Sequence, residues 1–202
     1  MEWLREHATC RSMRSIARLH NIALAAAICA LSLLACPNVA QAQVPTTADA
    51  LLDRLATPDL RNWDVVEDEI MMVWSRSGSA AGDYLLERGR AALADGDLQA
   101  AHDHLTALTD HVPDFAEGWN ARATLFFELD RYGPAIADIQ RVLALEPRHF
   151  GALTGLGFIF EEMGDLDGAL AAFRAAQAIH PHREEINASV ARVSRALEGA
   201  AL

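Results

Sequence analysis

Residues 150–183 read FGALTGLGFIFEEMGDLDGALAAFRAAQAIHPHR. Leu153, Leu156, Gly157 and Phe160 recur at three- and four-residue steps, which places them on one face of a first helix. Ala169, Phe173 and Ala176 do the same for a second helix. Gly164 breaks the chain between them, and Pro181 ends the second because it has no N–H with which to continue the hydrogen-bond ladder. Small residues at Gly157 and Ala169 let two backbones approach while a large side chain one turn away fills the space beside them. The stretch predicts a helical hairpin.

The same pattern stands upstream at a period of 34 residues. Pro113, Pro147 and Pro181 are in phase, as are Gly96, Asp130 and Gly164; Leu98, Tyr132 and Leu166; and Ala101, Ala135 and Ala169. So are Leu105, Ile139 and Phe173, and Leu108, Val142 and Ala176. The first helix of each unit adds Leu85, Trp119 and Leu153, then Gly89, Ala123 and Gly157, then Ala92, Phe126 and Phe160. Hairpins repeated in register bury a shared core by stacking, so the columns predict an all-α solenoid with units at about 82–115, 116–149 and 150–183.

These columns resemble the tetratricopeptide repeat, W-x2-L-G-x2-Y followed by A-x3-F and P. The third unit matches best, with Leu153 for Trp and Phe160 for Tyr; Arg122 replaces Leu in the second, and Leu85, Arg88 and Ala92 depart in the first. The resemblance implies a right-handed superhelix whose first helices line a concave, protein-binding groove. Its positions carry over to Leu86, Arg90 and Leu93, to Asn120, Thr124 and Phe127, and to Thr154, Phe158 and Glu161. Members that clamp a C-terminal carboxylate use Lys and Asn where this chain has Leu86, Arg90, Ala121, Gly151 and Gly155, so that clamp is not expected. Phe127 and Phe158 are the candidate anchors for apolar side chains, Asn120 for an extended backbone and Arg90 for an acidic group. A capping helix or a second copy covering the two aromatics is the competing expectation.

The flanks extend the array. Leu51, Leu52, Leu55, Val65, Val66, Ile70, Met71 and Trp74 keep helical spacing around Pro58, which predicts a degenerate hairpin at 47–79 covering the first repeat. Ile186, Val190, Val193 and Leu197 predict an amphipathic capping helix over 183–202.

Residues 1–42 have a different character. Arg11, Arg14 and Arg18 precede an uncharged run, Ile22–Cys36, and the small-residue tripeptide Ala40-Gln41-Ala42 follows. That order is a secretory signal peptide, with cleavage expected after Ala42 and Met13 a candidate start; the run is shorter than the ~20 residues of a membrane-spanning helix. A competing reading takes Leu33-Leu34-Ala35-Cys36 as a lipobox, with Cys36 lipidated and the protein tethered to a membrane. All three cysteines lie in this segment, so the exported domain must be held by apolar packing rather than disulfides.

Twenty-eight acidic against 17 basic residues give a net charge of -11, which repels nucleic acid and anionic lipid. Past residue 42 there is no G-x-S-x-G, Walker loop, H-E-x-x-H or cysteine nucleophile, so neither catalysis nor a cofactor is expected. His102 and His104 at i, i+2 point apart on a helix and cannot easily share an ion. His111, His149, His180 and His182 fall near the ends of second helices, where imidazoles meet terminal carbonyls. Asp165 and Asp167 sit in a turn that lacks the twelve-residue calcium loop, so no metal site is expected. The reading is an exported, periplasmic or secreted, non-catalytic adaptor that binds a protein or peptide. Its alternatives are a membrane-tethered lipoprotein assembly factor and a metal or small-ligand binder using the loop histidines.

Overall fold

The computed structural model describes residues 48–200. The expected leader, the expected cleavage after Ala42 and the lipidation candidate Cys36 lie outside the described residues. Within them the chain forms helices α1 (Ala48–Leu55), α2 (Trp63–Trp74), α3 (Ala80–Ala94), α4 (Leu98–His111), α5 (Ala116–Glu128), α6 (Tyr132–Leu145), α7 (Phe150–Glu162), α8 (Leu166–Ile179) and α9 (Glu184–Ala200). There is no strand among the described residues.

Three hairpins, α3–α4, α5–α6 and α7–α8, stack in sequence order, and α9 packs on α8 as the terminal cap. The predicted small-residue columns are where the helices of each pair meet. A Cβ on Gly157 would sit 2.5 Å from the Phe173 ring, and one on Gly89 would overlap the Leu105 side chain. Each large residue of the second helix therefore occupies space that the small residue of the first leaves open.

The break between the helices is a left-handed residue at the same phase in every unit: Gly96, Asp130 and Gly164, with φ of 74°, 54° and 78°. The amide of the following residue reaches back to the last turn, Asp97 to Ala92 O, Arg131 to Phe126 O and Asp165 to Phe160 O, satisfying carbonyls that the helix end orphans. Asp97 and Asp165 then cap the next helix by accepting from Ala100 N and Gly168 N at 3.0 Å. Asp165 is thus a helix cap.

The second unit solves its departure from the pattern with an ion pair. Arg122, in the column where the motif has Leu, donates to both carboxylate oxygens of Asp138 at 2.7 and 2.8 Å and to Thr109 Oγ1 at 2.7 Å. Asp138 and Thr109 are buried, and the guanidinium lies over the Trp119 ring.

The N-terminal hairpin α1–α2 does not cover the first repeat as its place in the sequence suggested. Its apolar face, Leu52, Leu55, Val66, Ile70 and Trp74, packs on Phe150 and Ile179, at the junction of the second and third repeats and the end of α8. Arg148 reaches Asp53 of α1 at 2.7 Å across that seam. The hairpin folds back along the edge of the solenoid where second helices end and first helices begin. Burying its own apolar face against the third unit is the physical reason.

Candidate functional site

A cleft of about 560 Å³ opens between α5 and α7. Asn120, Thr124 and Phe127 of α5 line one wall and Gly151, Thr154, Gly155 and Phe158 of α7 the other, joined by Arg183 from the turn before α9 and Glu185 from its first turn. Five of the nine sequence-derived groove residues therefore meet here. Gly155 widens the cleft: a Cβ there would find only Ile139 Cδ1, at an ordinary 3.9 Å.

The other four lie elsewhere or are engaged. Leu86 is 2% exposed and packs in the first core with Phe115, Ala121 and Leu125, because α5 lies over its face of α3. Leu93 packs against the same core. Arg90 is committed to Glu117 and to Ser75 Oγ, so it is not held ready for an acidic partner. Glu161 receives both ends of the Arg192 guanidinium from the capping helix, at 2.7 and 2.9 Å. That hydrogen bond and charge outweigh desolvation and hold the Glu161 carboxyl below its usual range.

Within the cleft the polar groups are partly occupied. Thr154 Oγ1 donates to Phe150 O at 2.8 Å and Thr124 Oγ1 to Asn120 O at 3.1 Å, both within their own helices. Asn120 donates from Nδ2 to Glu117, which leaves its amide oxygen to accept. Phe158 meets Phe173 edge-on with centroids 5.1 Å apart and belongs to the core beneath α9, so it is half wall and half core. Phe127, tilted against Tyr132 with centroids 6.1 Å apart, is likewise half-buried and packs against the core of the second unit.

The histidines act as joints between elements, which the sequence did not reveal. His149 is 1% exposed and caps α7, its Nδ1 accepting from Ala152 N at 3.1 Å while Nε2 faces Glu117 Oε2 at 2.9 Å. Nδ1 as acceptor assigns the ring proton to Nε2. Trp74 of the hairpin stacks on this ring at 4.1 Å. His180 Nε2 lies 2.9 Å from Glu67 Oε2, and His182 Nε2 donates to Thr57 O at 3.0 Å. Only His182 resembles the expected imidazole-to-carbonyl contact, and the carbonyl belongs to the loop after α1. The missed signal was pairing at long range: these contacts join residues 113 and 125 positions apart. Among the described residues no three His, Cys, Asp or Glu side chains are grouped to hold a metal ion, and no helix is long and apolar enough to cross a membrane.

Glu117, 3% exposed, ties this joint to the cleft. Burial pushes its carboxyl up, but the hydrogen bond from His149, the Arg90 charge and Asn120 together outweigh burial and hold it below the usual carboxylate value.

Residues 86–137 and 121–184 match the tetratricopeptide repeat family. A TPR repeat-containing protein of Rhizobium etli is 35% identical over 134 residues, 66% of this chain and 66% of its own length. The first TPR of Spaghetti (RPAP3), solved bound to the HSP90 peptide SRMEEVD, is similar at a TM-score of 0.57 and 22% identity, covering 59% of this chain and 95% of that one. The TPR2B domain of yeast Sti1, solved as a complex with pHsp70, is similar at 0.55 and 20% identity, covering 58% and 98%. Repeat columns, stacked hairpins and sequence similarity agree that the chain belongs to the tetratricopeptide repeat family.

Proposed function

We propose that the protein is an exported, non-catalytic adaptor of the bacterial envelope that holds an extended protein segment in the cleft between α5 and α7. The observation that carries this reading is the cleft itself: an open channel between two first helices, lined by Phe127 of α5 and by Gly151, Gly155 and Phe158 of α7. Similar solved folds are those of domains holding peptides. The chemistry of this cleft differs from a carboxylate clamp, since Ala121 is buried and Gly151 and Gly155 stand at clamp positions. It suits an apolar side chain seated beside Phe127, with the segment's backbone N–H donated to the amide oxygen of Asn120. A net charge of -11 favours approach of a basic segment, although that field acts mainly on association rate.

The test is capture from envelope extract by the wild-type protein and by Gly155→Leu, followed by mass spectrometry. A leucine at 155 fills the cleft, so proteins retained by wild type and lost by the variant are its occupants. Equal capture by both would rule out the cleft as the binding site.

Export is supported by the basic, apolar and small-residue order of 1–42. Intact mass of the protein from its native host is expected to start at Gln43, which leaves a net charge near -13. A mass starting at Cys36 with added acyl chains would make it a tethered lipoprotein, and a retained Met1 would refute export.

A further inference from the structure

The seam between α1–α2 and the solenoid contains three imidazoles, and the middle one differs from its neighbours. His180 is fully buried, with Trp63 edge-on at 5.4 Å, Phe150 edge-on at 5.0 Å and His182 at 6.2 Å between ring centroids. Nε2 faces Glu67 of α2, whereas Nδ1 is buried with no hydrogen-bond partner among the described residues. A single proton on Nε2 satisfies this geometry. A second, on Nδ1, would place a charged donor with no acceptor inside an aromatic cage, which is costly.

We propose that α1–α2 is an acid-released latch: a second proton on His180 undoes the seam, and the hairpin leaves the edge of the solenoid while the three repeats stay folded. The cage is built from both sides of the seam, Trp63 and Glu67 from α2, Phe150 from α7, and His182 and Arg183 from the turn before α9. Separating the hairpin therefore opens the cage and hydrates the ring.

The electrostatics act in the same direction. Burial holds the imidazole neutral below its ordinary value of 6.5; Glu67 pulls the other way, and the Arg183 charge and His182 add to burial. Above that value the ring is neutral whether docked or released, and docking is at full strength. Below it the released ring takes a proton that the docked ring refuses, so docking weakens as pH falls. One linked proton changes the docking equilibrium by at most about tenfold per pH unit. Release also reaches the cleft, because Arg183 at its end pairs with Glu67 at 3.4 Å.

Hydrogen exchange of the full chain at pH 7.5, 6.5 and 5.5, corrected for the intrinsic rate, tests the latch by mass spectrometry. Peptides of α2 are expected to exchange faster by up to about tenfold per unit below pH 6.5, with α5 and α6 unchanged and with no such rise in His180→Gln. Uniform protection of α2 in wild type, or the same pH dependence in His180→Gln, would overturn the proposal. If His180→Gln loosens the hairpin at pH 7.5 as well, the wild-type His180 Cε1–H resonance decides. A shift that moves over the range in which α2 loosens supports the latch, and one that stays flat there overturns it.

Discussion

Gly157→Leu is expected to unfold the third hairpin. Even the first carbon of the new side chain would lie 2.5 Å from Phe173, whose ring is fully buried between α7, α8 and α9. The ring has no outlet, so α7 and α8 must part, at a cost of about 3 kcal/mol or more. Because a solenoid's units depend on their neighbours, α9 and the docked α1–α2 should loosen with them, while α3–α6 retain structure. Exchange protection mapped along the chain checks this: loss confined to α1, α2 and α7–α9 is expected. Unchanged protection in α7 and α8 would mean that the packing stripe is misplaced.

His149→Ala is the second large effect. The substitution removes the acceptor that caps α7, about 1 kcal/mol, and the donor that Glu117 faces inside the protein. It also leaves Trp74 without its stacking partner. Glu117 keeps Arg90 and Asn120, so the loss is that of one unsatisfied buried carboxylate oxygen, about 1–3 kcal/mol. Glu117→Gln tests the pair from the other side, because in that background the His149 donor no longer faces a carboxylate; denaturant unfolding of the two single variants and the double variant measures that coupling. The acid limb of stability offers a separate check. Glu117 has a lowered folded-state value, so its contribution is complete above the ordinary carboxylate value of 4.5 and is lost as pH falls through the lowered one. Glu117→Gln should flatten that limb.

The repeat was legible because its determinants are local and recur. Gly164 and Gly96 announce a left-handed turn, and Asp130 could be read as their equivalent only because the period put it there. The Arg122–Asp138 pair was less visible, although an arginine in a leucine column facing an aspartate on the partner helix is a signal that could have been weighed. The docking of α1–α2 had no local signature. Leu52, Val66, Ile70 and Trp74 declare an apolar face, but nothing in their spacing says that Phe150 and Ile179, about a hundred residues on, receive it. The groove stripe meets the first core at Leu86 and Leu93 for a related reason: a column marks a helix face, and the neighbouring helix decides how far that face stays open. In the third unit, Glu161 was claimed by Arg192 of the cap.

If the open space between α5 and α7 is the binding site we propose, Gly155 is the position whose substitution closes it. A Cβ there meets nothing closer than 3.9 Å, and replacing a mid-helix glycine by leucine raises helix propensity by about 0.5–1 kcal/mol. Gly155→Leu should therefore fold at least as well as wild type while filling the cleft, in contrast with the same substitution two residues on. The measurement is a binding isotherm of the captured partner's segment against wild type and Gly155→Leu, with circular dichroism and melting recorded on both. Equal helicity, an equal or higher melting temperature and at least about a tenfold loss of affinity, which corresponds to about 1.4 kcal/mol, are expected. Equal affinity in an equally folded variant would mean that the segment binds elsewhere.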